Sequence, residues 1–225
     1  MKEEDVKKLI DKLQYFDYDK LLNKIRKNVK KPSVLVTGGT GVGKSSLINH
    51  LFGMDVAKTG NGKPMTDRIT RYEPENYDVV LYDTLGYEVG EDKQQQFYKD
   101  VIGFVKKANG QSDIKKHVHL AWYCISAANK RVTPTDLDAI AALDGLTEVC
   151  VVLTQIDAAT MVELDEMKQV LQKKLPKTSV FLVSIDPRVP EEKMQWNGLL
   201  GWSVDHLDAG LQLAFAQALG QELHV

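Results

Sequence analysis

The sequence predicts a three-layer α/β domain, and three observations lead to that prediction. With 225 residues, 43% of them hydrophobic and 27% charged, the chain has the composition of a globular domain with one full core. After Pro32, short apolar runs rich in β-branched residues alternate with segments of helical periodicity. This alternation is typical of a mostly parallel sheet covered by helices on both faces.

Six strands and five helices are predicted in this part of the chain. The strands are Ser33–Thr37, Ile69–Glu73, Asp78–Tyr82, Val118–Ser126, Glu148–Leu153 and Ser179–Ser184. The helices are Lys44–Phe52, Gln94–Asn109, Pro134–Leu143, Met161–Leu175 and Val204–Leu219. Before the last helix, the long stretch Pro187–Gly201 is either a partner-binding loop or a cover over a bound nucleotide, and the sequence does not decide between them.

Residues 1–31 are predicted to form an N-terminal helical extension, separate from a domain at 32–225. Apolar residues recur there with helical spacing, first at Leu9, Ile10 and Leu13 and again between Leu21 and Val29. Two interpretations stay open at this point. The apolar stripe packs on the surface of the domain itself, or it binds a partner or a membrane surface.

Charge and cysteine usage exclude several classes of protein. With 29 basic and 31 acidic residues the net charge is -2, which argues against a chain that mainly neutralises nucleic-acid phosphates. Cys124 and Cys150 fall in predicted strands and give no disulfide framework. No apolar run reaches the roughly twenty residues that span a bilayer, and the first residues lack the apolar core of a signal peptide. We therefore expect a cytoplasmic protein whose membrane contact is peripheral at most.

A glycine-rich motif carries the phosphate chemistry. The first strand leads into Gly38-Gly39-Thr40-Gly41-Val42-Gly43-Lys44-Ser45, which matches G-x-x-x-x-G-K-[ST] at the start of a helix. The glycines let successive backbone N–H groups point at phosphate oxygens, and the helix N-terminus adds a positive dipole end. Lys44, expected as a solvent-facing charge, supplies a cation between the β- and γ-phosphates, and the Ser45 hydroxyl suits Mg²⁺. The predicted nucleotide contacts here are Thr40, Gly41, Val42, Gly43, Lys44, Ser45 and Ser46.

The next motif is a carboxylate at the end of a buried strand. The run from Val79 to Tyr82 is followed by Asp83-Thr84-Leu85-Gly86. An Asp at this end of the strand is placed to hold the hydration shell of Mg²⁺, and a glycine three residues later lets its N–H approach a γ-phosphate. The alternative is that Asp83 only caps a turn.

The third motif selects the base. The apolar run Val149–Leu153 ends in Thr154-Gln155-Ile156-Asp157. Guanine presents N1–H and a C2 amino group as two adjacent donors, and an ionised carboxylate is an acceptor-only group that matches both. Asp157 is therefore predicted to select GTP over ATP.

With these motifs in place, the chain resembles the Era-like branch of the translation-factor-related GTPases, most closely its bacterial YfjP-like members. The resemblance covers about residues 31–220. It implies a P-loop NTPase fold of the Ras/Era-like type, with a six-stranded sheet. It implies that Thr66, rather than Thr70, completes Mg²⁺ coordination beside Ser45 and Asp83, and that Lys44, Thr66 and Gly86 act on the γ-phosphate. Base contacts would come from Thr154, Gln155, Asp157, Ser184 and Ile185.

Three departures from the usual pattern of that family bear on activity. The guanine motif has T-Q-x-D where the commonest form is N-K-x-D, so Thr154 must provide the tie to the phosphate loop and Gln155 must cover the base without a cation. Tyr87 stands where Ras-like proteins carry the water-orienting glutamine. Asp67 places an acid beside Thr66 where related chains often have a base. Slow intrinsic hydrolysis is the expected consequence.

The sequence thus predicts a Mg²⁺-dependent GTPase that acts as a molecular switch toward an effector protein or a second copy of itself. One alternative is a nucleotide-gated binding module with negligible hydrolysis on its own. The other is a membrane-associated GTPase of the dynamin or immunity-related type, for which the helical N-terminal segment is the only hint.

Overall fold

The computed structural model describes residues 31–52, 63–66, 68–73, 79–86, 96–208 and 211–212. The chain divides into two units, Met1–Lys30 and Lys31–Val225, and the first lies outside the described residues. The predicted N-terminal helices therefore stay a prediction. Among the residues described, no helix combines the length and the apolar character needed to cross a bilayer.

A seven-stranded sheet forms the centre of the second unit. In chain order its strands are β1 Ser33–Gly38, β2 Lys63–Thr66, β3 Ile69–Tyr72, β4 Val80–Thr84, β5 Leu120–Ser126, β6 Glu148–Thr154 and β7 Ser179–Leu182. They lie in the order β2-β3-β4-β1-β5-β6-β7. Five neighbouring strands are parallel, in the order β4-β1-β5-β6-β7. At the β4 edge, β3 pairs antiparallel with β4, and β2 pairs antiparallel with β3. The α/β architecture is confirmed, and all six predicted strands are present to within two residues at each end.

The seventh strand, β2, adds to the six predicted ones. Its sequence, Lys63-Pro64-Met65-Thr66, has a proline and no apolar alternation. A proline is tolerated here because β2 is an edge strand with one neighbour, and its register with β3 shifts between Pro64 and Thr66. Pairing with β3, rather than local β propensity, makes this segment a strand.

Helices cover both faces of the sheet. Within the described residues they are α1 Lys44–Phe52, α2 Gly103–Asn109, α3 Pro134–Asp144, α4 Met161–Lys174 and α5 Trp196–Asp205. The first matches its prediction at both ends. A π-helical turn, Tyr98–Ile102, leads into α2. Capping boxes start α3 at Thr133 and α4 at Thr160, which satisfies the first backbone N–H groups of both helices.

The predicted helix at Val204–Leu219 is wrong at its start. The structure has α5 at Trp196–Asp205, largely inside the stretch expected to be a loop, and residues 213–219 lie outside the described part. Gly198 and Gly201 lower the helix propensity of this segment. Packing outweighs that cost: Leu199 is fully buried, and Ser203 accepts a hydrogen bond from the indole N–H of Trp122 at 3.0 Å.

Two apolar clusters hold the layers together. Leu35 of β1 belongs to the cluster under α2, α3 and α4, whereas Val34 and Val36 belong to the cluster under α1 and α5. Trp122 is fully buried in the second cluster. Because the parallel strands end at the same edge, the segments that follow β1, β4, β5 and β6 meet there.

Candidate functional site

The phosphate loop has a conformation that two of its glycines make possible. Gly41 and Gly43 have positive φ values of 75° and 88°, in the left-handed region. Gly38, the last residue of β1, also has a positive φ of 136°, and a Cβ atom there would lie 2.1 Å from the carbonyl oxygen of Cys124 on β5. The loop therefore requires glycine both for its curvature and for the contact of two neighbouring strands.

Lys44 is buried rather than solvent-facing, which corrects the expectation from sequence. Its exposed fraction is 7%, and its ammonium group donates to the carbonyl oxygens of Gly39 at 2.7 Å and Gly38 at 3.3 Å. A residue at the start of a helix is usually exposed to solvent. Here the phosphate loop closes around the Lys44 side chain and buries it. Burial lowers the pKa of Lys44, and nearby Cys124 and Asp83 oppose part of that shift.

Ser45 and Asp83 form a pair with hard oxygen atoms. The Ser45 hydroxyl donates to Oδ2 of Asp83 at 2.9 Å, and the buried Oδ1 has no hydrogen-bond partner among the described residues. Burial raises the pKa of Asp83, while Ser45 and Lys44 act in the opposite direction. A buried carboxylate oxygen without a donor, next to a hydroxyl, fits a divalent cation or its water. Thr66 ends β2, but its side chain lies outside the described part, so its place in this set stays a prediction.

The segment after β4 lies directly on the phosphate loop. A Cβ atom on Gly86 would meet the backbone nitrogen of Thr40 at 2.3 Å, so no other residue fits there without a shift of the backbone. The N–H of Leu85 donates to the carbonyl of Arg68 at 2.7 Å, which joins this segment to the start of β3. Tyr87 and Asp67 lie outside the described residues. The backbone of Gly86 thus lies against Gly39 and Thr40 of the phosphate loop, and its contact with the γ-phosphate stays a prediction.

Thr154 links the base-recognition motif to the phosphate loop. Its hydroxyl donates to the carbonyl oxygen of Val42 at 2.6 Å, and the carbonyl oxygen of Ile125 lies within hydrogen-bond distance of the same hydroxyl at 3.3 Å. Val42 takes part in the site through its backbone, because its side chain is buried in the apolar cluster under α1. The threonine thereby provides the tie that an amide provides in the commoner motif.

Gln155 makes a second link of the same kind. Its backbone has a φ of 53°, in the left-handed region, and its side-chain amide donates to the carbonyl of Gly41 at 3.4 Å. The amide oxygen accepts a hydrogen bond from the hydroxyl of Ser126, the last residue of β5. Ser126 is not among the site residues predicted from the sequence. The available signal was a polar residue at the end of an apolar strand, at the edge where the other motifs meet.

Asp157 lies at the other end of a cleft of about 500 Å³. Its Oδ1 accepts from the hydroxyl of buried Ser184 at 2.5 Å, and Ile185 beside it is exposed. The cleft joins the phosphate loop to the base motif through Gly43, Ser46, Leu47, Thr154, Gln155, Asp157, Val183, Ser184, Ile185, Asp186, Pro187, Arg188 and Trp196.

Part of the stretch Pro187–Gly201 lines this cleft. The indole of Trp196 stacks on the ring of His50 in α1, with centroids 4.5 Å apart. Arg188 forms an ion pair with Asp186 at the same rim. Pro187, Arg188 and Trp196 thus line the cleft, and both interpretations of the stretch, a partner-binding loop and a cover over a bound nucleotide, stay predictions.

Residues 33–184 match the family described as 50S ribosome-binding GTPase. The chain belongs to this GTPase family. It is also similar to neuronal-specific septin-3 of Mus musculus, 24% identical over 197 residues that cover 72% of this chain and 54% of the septin. Cell division control protein 10 of Saccharomyces cerevisiae is 22% identical over 214 residues, covering 81% of this chain and 66% of the relative. The chain thus spans about half the length of septin-3.

Solved structures share the fold at low sequence identity. A probable GTP-binding protein, EngB, superposes with a TM-score of 0.57 at 18% identity, covering 77% of this chain and 97% of the other. The septin GTPase domain of Chlamydomonas reinhardtii gives 0.55 at 16% identity, covering 85% and 98%. Aquifex aeolicus Era, solved with GDP and AlF4⁻, gives 0.52 at 17% identity, covering 78% and 56%. The family match, to which the shared fold conforms, identifies residues 33–184 as a GTP-binding G domain.

Proposed function

We propose that the protein binds GTP with Mg²⁺, hydrolyses it slowly to GDP and phosphate, and acts as a molecular switch. The observation that carries the proposal is one cleft with two chemically different ends. Gly43 and Ser46 line one end, directly beside the buried Lys44 and the Ser45 hydroxyl that bonds Asp83, and the acceptor-only carboxylate of Asp157 lines the other end.

Each residue has a defined task in this proposal. Lys44 keeps its carbonyl contacts to the loop and turns its remaining donor toward the phosphates. Ser45 and Asp83 would hold Mg²⁺, with Thr66 as the proposed further ligand; the cation supplies charge neutralisation at the β- and γ-phosphates. The backbone N–H of Gly86 would sense the γ-phosphate from its position on the loop.

Hydrolysis is expected to be slow without a partner. Tyr87 follows Gly86 in the sequence, and a phenol with an ordinary pKa near 10 is a poor substitute for a water-orienting glutamine. Unassisted small GTPases turn over at about 10⁻⁴ to 10⁻² s⁻¹, and we expect this chain to lie in that range.

A second candidate is a nucleotide-gated binding module that hydrolyses nothing measurable on its own. It is favoured by Leu85, whose side chain is 61% exposed next to Gly86. An apolar side chain at this position would offer an effector protein, or a second copy of the chain, a surface that changes with the γ-phosphate. The YfjP-like affiliation, a cytoplasmic location and a peripheral membrane role of the dynamin or immunity-related type remain hypotheses.

Single-turnover hydrolysis of GTP separates these candidates. The chain is mixed with labelled GTP or ATP, with Mg²⁺ or with EDTA, and with or without liposomes. Slow hydrolysis of GTP alone, lost in EDTA and unchanged by liposomes, would support the GTPase. Tight GTP binding with no product would favour the binding module, and acceleration by liposomes would favour the membrane-associated type. Turnover above about 1 s⁻¹ by the isolated chain, or equal use of ATP, would refute the proposal.

A further inference from the structure

We infer that Ser126 is a positioning residue for the bound guanine nucleotide, acting through Gln155. Neither the phosphate motif nor the base motif contains Ser126, and the sequence gives it no assigned role. The inference rests on the proposed function in one respect: the cleft must bind a guanine nucleotide. It concerns how the chain holds Gln155 in place without the lysine of the commoner motif.

The hydroxyl of Ser126 acts both as a hydrogen-bond acceptor and as a donor, and its neighbours determine the partner in each case. The residue is 4% exposed, and its oxygen accepts from the backbone N–H of Ala128 at 3.2 Å. That N–H can only donate, so the hydroxyl proton of Ser126 is free to point elsewhere. It points at the side-chain oxygen of Gln155.

The opposite end of the Gln155 amide is fixed in the same way. Its nitrogen donates to the carbonyl of Gly41 in the phosphate loop at 3.4 Å. A carbonyl can only accept, so a flipped amide would set two oxygen atoms against each other. The side chain therefore has one satisfactory orientation, with its oxygen on Ser126 and its nitrogen on the loop.

The backbone of Gln155 needs such support. Its φ of 53° is a left-handed conformation that a non-glycine residue adopts at an energetic cost and that persists where neighbouring contacts fix it. This conformation puts the side chain within reach of the phosphate loop. The amide nitrogen lies 4.0 Å from where a Cβ atom on Gly43 would be.

The result is a clamp between the two ends of the cleft. Consecutive residues Thr154 and Gln155 hold the consecutive carbonyls of Val42 and Gly41. Ser126 anchors the weaker of these two links to the end of β5. Since Asp157 follows two residues later, the base end and the phosphate end are fixed relative to each other before a nucleotide arrives, and preorganisation of this kind strengthens binding by reducing the ordering cost.

Serine and glutamine form a matched pair in this arrangement. A lysine at position 155 could not accept the proton of Ser126, although it could donate to the Ser126 oxygen. A leucine at position 155 could do neither. Ser126 should therefore matter in the parent chain and cease to matter once residue 155 is a leucine.

The test is a double-mutant cycle read out by nucleotide release. Dissociation of fluorescent GDP and GTP analogues is measured by stopped flow for the parent, Ser126→Ala, Gln155→Leu and the double variant. Loss of one net side-chain hydrogen bond predicts release about three- to tenfold faster in Ser126→Ala. In the Gln155→Leu background the same change should alter release by less than about twofold. Ser126→Thr, which keeps the hydroxyl, should stay near the parent.

Controls separate positioning from folding. Ser203→Ala removes another buried hydroxyl, one that bonds Trp122 away from the cleft, and it should lower thermal stability without changing nucleotide release. If Ser126→Ala does not fold, Gln155→Leu removes the link from its other side together with the contact to Gly41, and it should release nucleotide at least three- to tenfold faster than the parent.

The outcomes are distinct. Unchanged release from folded Ser126→Ala, or from Gln155→Leu, would overturn the inference. An equal effect of Ser126→Ala in both backgrounds would overturn it too, because Ser126 would then act without Gln155. Failure of the parent to bind any guanine nucleotide would refute the proposed function itself, and the inference with it.

Discussion

The exchange of Asp157 for asparagine should change the base that the cleft accepts. The hydroxyl of Ser184 accepts from the backbone N–H of Asp186 at 3.0 Å, so its own proton goes to the side chain at position 157. After Asp157→Asn, the new amide must keep its oxygen on Ser184. Its NH₂ group is then the part that faces the cleft.

The size of the effect follows from that orientation. The parent carboxylate can accept both guanine donors, N1–H and the C2 amino group. In the variant the amide NH₂ faces the C2 amino group, so one charge-assisted hydrogen bond is lost and a donor is left unmet. These losses amount to about 3–5 kcal/mol, a factor of roughly 10² to 10⁴ in Kd. Xanthine has a carbonyl at C2 and keeps N1–H, so the amide NH₂ donates to that carbonyl and the second lone pair of the amide oxygen accepts N1–H.

Competition binding measures this exchange directly. Displacement of a fluorescent guanine nucleotide gives the Kd of GDP and GTP for the parent, and displacement of a fluorescent xanthine nucleotide gives those of XDP and XTP for Asp157→Asn. Asp165→Asn, an exposed change of the same kind on α4, serves as the matched control and should behave as the parent. If Asp157→Asn binds GTP as tightly as the parent, or binds XTP no better than the parent does, Asp157 does not contact the base and the argument for guanine specificity fails.

Two further predictions concern charge. Lys44→Ala should weaken GTP binding by about 10- to 150-fold, which is the contribution of one charge-assisted hydrogen bond. Isothermal titration measures the affinity, and Lys116→Ala, at an exposed lysine, is the control that should leave it unchanged. Equal affinities of Lys44→Ala and the parent would exclude Lys44 from the phosphate site. Hydrogen bonds from Lys130 and from Thr160 lower the pKa of Glu163 from 4.5 to about 2. The stability contributed by ionised Glu163 is therefore present above about pH 4.5 and lost as the pH falls toward 2. The Tm difference between the parent and Glu163→Gln should shrink over that interval. A constant Tm difference would contradict the stabilisation of the ionised carboxylate by Lys130 and Thr160.

The fold was predictable where local pattern and tertiary packing agree. The buried parallel strands are continuous apolar runs, and α1 follows a glycine-rich loop, so both were visible in sequence. Two elements were not visible, because tertiary contacts decide them. Strand β2 contains a proline and exists through its pairing with β3, and α5 contains two glycines and exists through the packing of Leu199 and Ser203.

The site was predictable to the extent that its residues lie in linear motifs. Ser45 and Asp83 were proposed from spacing, and the structure brings them within 2.9 Å of each other. The burial of Lys44 could not be inferred, because it depends on how the loop closes around the side chain. Trp196 lines the cleft and Ser126 contacts Gln155 of its wall, both from other parts of the chain, and a linear motif holds no information about such contacts.

The first glycine of the phosphate motif belongs as much to the sheet as to the ligand. Its missing Cβ atom makes room for the Cys124 carbonyl on β5, whereas a Cβ atom on Gly41 would have open space around it. A bulkier residue at position 38 would push β1 and β5 apart at the edge where every segment of the cleft begins, and the cleft would lose its geometry even with all of its ligand-binding groups present. Within one run of eight residues, glycine is thus needed at position 38 for the packing of two strands and at position 41 for the shape of the phosphate-binding loop. Loss of nucleotide binding after substitution would have a different cause at each position.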